Sequence, residues 1–114
     1  MVEGLWVIRF ISSLNMWGSG VLVLTKDKRI LGGDEGYYYI GTYLTEKNEI
    51  RGNANVIQFN TQSVSVFGNS PKFCLMFKGN LKNNDNEFSA VATSPDFPDY
   101  SLKIEGVKKA DLNE

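Results

Sequence analysis

The chain has 114 residues, 42% of them apolar and 22% charged, a composition that excludes a disordered segment and a membrane-embedded bundle. Its 12 Lys and Arg oppose 13 Asp and Glu, so a net charge of −1 supplies no global field to draw in nucleic acid or an anionic membrane. Histidine is absent, which removes Ser-His, Cys-His and His-metal arrangements together, so no enzymatic activity, no metal and no cofactor are expected.

The elements read in chain order as strands. Leu5–Ile11 alternates, with Leu5, Val7, Arg9 and Ile11 on one face and Trp6, Ile8 and Phe10 on the other. The stretch before it carries Glu3 and lacks a basic leader region, and no apolar run is long enough for a membrane span, so the expected location is the cytoplasm with no membrane contact. Gly18–Leu24 is a short apolar run closed by the polar turn Thr25-Lys26-Asp27-Lys28, and Arg29–Leu31 is a stub of strand. Leu31-Gly32-Gly33-Asp34-Glu35-Gly36 reads as a wide turn. Its Gly-Gly-Asp-Glu superficially matches the nucleotide cyclase signature, but Gly36 occupies the fifth position and the flanks are all β.

Tyr37–Leu44 is rich in the residues strands favour. Tyr37, Tyr39 and Tyr43 share a face with Gly41, whereas Tyr38 shares the other with Ile40, Thr42 and Leu44; the second set looks more core-like. Thr45–Glu49 is a hairpin turn into Ile50–Phe59, where Ile50, Gly52, Ala54 and Val56 form the apolar face. Asn60–Ser70 suits a strand, a crossing loop or one turn of helix. Phe73–Gly79, Glu87–Thr93 and Tyr100–Lys108 complete the set, with Tyr100, Leu102, Ile104 and Gly106 facing inward on the last. The lone Cys74 in Phe73-Cys74-Leu75-Met76-Phe77 reads as a small buried hydrophobe.

About eight strands at short spacing predict an all-β, antiparallel, up-and-down barrel, with a two-sheet sandwich as the alternative. One domain over residues 1–114 is expected, with 109–114 as a flexible tail. Gly52, Ala54, Ala90, Ala92 and Gly106 are small members of apolar faces, and they suit a filled barrel as well as a hollow one. If hollow, the lumen would be lined by Tyr39, Tyr43, Ala54, Ala90 and Ile104 and would take a small hydrophobic ligand, making the protein a carrier or sensor. Asp34, Glu35, Tyr37 and Tyr38 are candidates for surface or turn contact. The acid pairs Asp34-Glu35 and Asp96 with Asp99 fall in loops, where turn chemistry is the common outcome.

Gly4-Leu5-Trp6-Val7-Ile8-Arg9-Phe10, Gly18–Leu24, Ile30-Leu31-Gly32-Gly33-Asp34 and Tyr38-Tyr39-Ile40-Gly41-Thr42-Tyr43 together resemble the GrlR-type proteins, small bacterial negative regulators of type III secretion. The resemblance covers residues 4–58 well and the remainder in strand rhythm only. It implies a calycin-like, distantly lipocalin-like barrel, a homodimer, and regulation by contact with a helix-turn-helix transcription regulator rather than with nucleic acid. It also implies that an acidic turn, Glu-Asp-Glu-Asp in the type member, touches that partner. The matching positions are Glu46-Lys47-Asn48-Glu49, so Glu46 and Glu49 keep the acidic pattern while Lys47 and Asn48 do not.

Overall fold

The structure is a computed structural model that describes residues 1–68 and 70–112. Eight antiparallel strands follow one another around a closed barrel: β1 Gly4–Ser12, β2 Trp17–Leu24, β3 Arg29–Gly33, β4 Tyr37–Glu46, β5 Glu49–Gln58, β6 Lys72–Lys82, β7 Glu87–Thr93 and β8 Ser101–Asp111. The ring closes where β8 pairs with β1, Gly106 opposite Ile8 and Ile104 opposite Phe10. The eight-stranded antiparallel barrel is therefore the fold, and the sandwich is not. Among the described residues no helix is long and apolar enough to cross a membrane.

Alternation decides what faces in. Trp6, Ile8 and Phe10 point into the barrel from β1, Ile50, Ala54 and Val56 from β5, Phe88, Ala90 and Ala92 from β7, and Leu102 and Ile104 from β8. On β4 the core-like reading is reversed. Tyr37, Tyr39 and Tyr43 are the buried set, while Tyr38, Ile40 and Leu44 stand outside. Both faces of that strand are apolar, so composition could not choose between them; the register with Val56 and Gly52 on β5 does. Cys74 is corrected on the same ground. Phe73 is buried, so its neighbour Cys74 falls on the outer face, half-buried.

The two ends of the barrel differ. At the floor, Val2 folds under the barrel and its carbonyl accepts a hydrogen bond from Trp6 Nε1 at 2.9 Å. Trp6 is fully buried, 5.1 Å from the Phe88 ring. Tyr43 is buried as well and donates its hydroxyl to the Thr25 carbonyl at 2.7 Å. Residues 109–111 of the tail expected over 109–114 belong instead to β8, which stays paired with β1 through Asp111, and Lys108 bridges to Asp111 at 2.7 Å. Asn113 and Glu114 lie outside the described residues.

The opposite end carries the connections Ser13–Met16, Asp34–Gly36, Phe59–Pro71 and Ser94–Tyr100. Residues 60–68 of the third are a loop rather than a strand or a helical turn, with one isolated bridge between Ser65 and Gly68; Asn69 lies outside the described residues. This strap is held by Phe67, which is buried and packs on Phe73, Phe97 and Tyr100 with ring centroids 5.4–6.2 Å apart.

The floor sets the first prediction. Trp6→Phe keeps most of the apolar volume but leaves the Val2 carbonyl without its donor, and should cost about 1–3 kcal/mol. Trp6→Ala, which also opens a cavity, should cost roughly 3–5 kcal/mol. Both are read from the urea midpoint at unchanged slope.

Candidate functional site: the barrel lumen

A cavity of about 520 Å³ occupies the upper barrel. Its wall is built from the inward positions of all eight strands: Ile8 and Phe10, Leu22 and Leu24, Ile30, Tyr37 and Tyr39, Ala54 and Val56, Phe73 and Phe77, Phe88 and Ala92, and Leu102 and Ile104. The cavity descends to Leu24, Ile30 and Ile50. Below them Trp6 and Tyr43 plug the floor. Its mouth is bounded by Trp17–Ser19, Asp34–Gly36 and the strap residues Ser63–Val66.

The mouth is constructed from the sequence around Asp34. Its Oδ1 accepts the backbone N–H groups of Gly36 and Tyr37, each at 2.9 Å, which folds the chain into a tight Asx turn. Its Oδ2 accepts the hydroxyl of Tyr39 from the lumen wall. The Gly36 carbonyl then accepts Phe59 N–H at 2.9 Å, and Gln58 Nε2 donates to the Ser63 carbonyl at 2.7 Å, so the strap is tied to the Asp34 turn. A Cβ on Gly36 would run into Ser63, which makes glycine a requirement of this close approach. Across the mouth the Phe10 ring lies over Gly18, where a Cβ would strike the ring. Trp17 beside it is 79% exposed.

Burial pushes the Tyr39 hydroxyl far up, and its hydrogen bond to Asp34 and the nearby carboxylate charge push the same way. Burial likewise pushes Tyr43 up to about 12, aided by the charges of Glu3 and Asp27. Tyr37 is also raised by burial; its hydroxyl donates to the Ser70 carbonyl at 2.8 Å. Among the described residues no buried side-chain nitrogen or oxygen lacks a hydrogen-bond partner, so the wall already satisfies its own polar groups. Nor do any three of its Cys, Asp and Glu residues come together as a metal-binding group among those described.

The sequence-derived residues fall into three places. Tyr39, Ala54 and Ile104 line the cavity; Tyr43 and Ala90 also point inward but lie off its wall, Tyr43 in the floor and Ala90 packed against Gly79. Asp34 and Glu35 stand at the mouth and Tyr38 on the outer surface. Tyr37, expected as a surface contact, is only 3% exposed, because it shares the inward face with Tyr39. Glu46 and Glu49 lie at the floor end, remote from the mouth. Glu46 is exposed, while Glu49 faces Lys78 at 3.6 Å and Arg51 at 4.0 Å, so the turn's acidity is further offset. Phe10, Trp17 and the strap residues Val64 and Val66 belong to the site without having been singled out. The Phe10–Gly18 juxtaposition was the one available signal, and it depends on a β1–β2 register that sequence does not give.

The fold and cavity define a closed eight-stranded barrel with a plugged floor and a lumen opening at one end. No protein-family model and no curated protein matches the chain.

The buried tyrosines give a pH prediction. An unfolded tyrosine ionises near about pH 10, whereas folded Tyr43 holds its proton to about 12 and Tyr37 and Tyr39 are also raised. Above about pH 10 the folded chain therefore binds more protons than the unfolded one, so stability is intact below that point and falls as the pH climbs through the folded values. Near-ultraviolet phenolate absorbance should show these three residues ionising late, together with loss of the fold. Early ionisation of all five tyrosines in a still-folded chain would contradict the burial of Tyr37, Tyr39 and Tyr43.

Proposed function

We propose that this is a non-enzymatic, cytoplasmic binding protein that holds a small apolar molecule in its lumen. The carrying observation is the cavity of about 520 Å³, walled by aliphatic and aromatic side chains and reached through one mouth. Ligand sites commonly span about 300–1,000 Å³ with a mostly apolar lining. A core of this chain length would ordinarily be close-packed, and a void of this size forfeits dispersion contacts that a ligand restores.

Ala54 gives the test, because it is a small residue in the middle of the wall. The neutral fluorescent probe N-phenylnaphthylamine should bind saturably to the native chain, and Ala54→Phe should weaken it by about tenfold or more at a stability cost of about 1–3 kcal/mol. Equal binding by a folded Ala54→Phe variant would place the probe elsewhere and overturn the reading.

A second reading, regulation by protein contact as in the GrlR-type proteins with a helix-turn-helix regulator as partner, is supported by the outer surface rather than the acidic turn. Two rows of outward positions cross the sheet without a charge: Ala110, Leu5, Val23, Leu31, Ile40 and Asn55, and beside them Val107, Val7, Val21, Gly33, Tyr38 and Ile57. Leu5, Val21, Leu31, Tyr38 and Ile40 are exposed, and Phe59 extends the band 6.4 Å from the Tyr38 ring. An uncharged apolar face is complementary to itself, the property a two-fold homodimer needs. Sedimentation should give a dimer that Val21→Asp with Ile40→Asp converts to a monomer. A native chain that is monomeric at about 100 μM would remove the dimer from this reading.

A further inference from the structure

The charge of the mouth points to the chemistry of the ligand's polar end. The four connections at that end contain Asp34, Glu35, Asp96 and Asp99 and not one Lys or Arg. Around the cavity itself, the only charged residues among those described are Asp34 and Glu35. The nearest cations in the chain, Arg9, Lys72 and Lys103, sit on strand positions whose side chains stand outside the barrel. The floor end differs, mixing Lys26, Lys28, Lys47 and Lys109 with its acids. A chain of net charge −1 thus concentrates negative charge where its lumen opens.

Position makes this asymmetry count. The Asp34 carboxylate is pinned by three donors, so it cannot swing away from an entering group. The wall behind it is apolar, and a low-dielectric rim focuses the field across the opening. A ligand whose tail fills the barrel must leave its head beside Asp34 and Glu35. An anionic head there is repelled and has no cation to pair with. A positively charged head gains both carboxylates, and the aromatic rings of Phe10, Trp17 and Tyr39 at the same opening attract cations in addition.

Resting on the lumen-binding reading above, we infer that the barrel selects apolar molecules ending in a positively charged group, such as an alkylammonium, and discriminates against fatty acids and other carboxylate-ended lipids. Titration calorimetry of the full chain with decylammonium, decanol and decanoate at neutral pH separates the two levels of the claim. The expected order is decylammonium, then decanol, then decanoate, with the cation at least about tenfold tighter than the anion. Glu35→Gln, which removes an exposed charge without touching the hydrogen bonds of the turn, should narrow that gap and leave decanol unchanged. Asp34→Asn should narrow it further if the turn folds. Decanoate binding as tightly as decylammonium, or a gap unmoved by Glu35→Gln, would overturn the charge selectivity while leaving lumen binding in place. Failure of all three to bind would overturn both.

Discussion

Everything in this molecule depends on closing eight strands into a ring around side chains of very unequal size. The inward positions must seat Trp6, Tyr43, Phe73, Phe77 and Phe88 in a narrow tube, which is possible only because small residues stand opposite them. Gly106 shows the constraint most directly. The Phe88 ring lies where its Cβ would be, on the strand directly beside it. At the floor this fitting is complete and produces a solid plug tied by the Trp6–Val2 hydrogen bond. Higher up, Ala54 and Ala92 stand among larger residues that do not close over them, and the cavity is what remains. The same distribution of large and small side chains therefore sets both the stability of one end and the binding capacity of the other.

Because side chains alternate, each strand serves two surfaces at once. On β4, Tyr39 faces the lumen and donates to Asp34 at the mouth, while its neighbours Tyr38 and Ile40 belong to the apolar outer band. A ligand that repositioned Tyr39 would act on the strand that carries the outer contact surface. The inner and outer readings of function thus share a structural element.

Much of the fold was legible in the sequence, for a physical reason. Where one face of a strand is polar, as with Arg51, Asn53 and Asn55 on β5 or Lys103 and Glu105 on β8, period-two alternation alone identifies the inside. Where both faces are apolar, local pattern is silent. Tyr37–Leu44 and Phe73–Phe77 were misassigned in part because their outward residues, Ile40, Leu44, Cys74 and Met76, are as apolar as their inward ones. The strap was illegible for a different reason. Phe67 is held by Phe97 and Tyr100, some thirty residues away, and no local feature of 60–68 announces that anchor. The mouth lay in between: Asp34 and Glu35 were visible as a turn, but only the closed ring shows that their turn borders the lumen.

The central claim is that the upper barrel is a ligand-sized space rather than a packed core. Apolar cavities take up xenon, so the most direct test is a crystal structure of the full chain under xenon pressure. Density for xenon, or for a molecule retained from the cell, should lie enclosed by Leu22, Ala54, Val56 and Leu102 beneath the Asp34–Tyr39 pair. Side chains of Phe10, Phe73 and Phe77 folded inward to fill that space, with no such density, would contradict the claim.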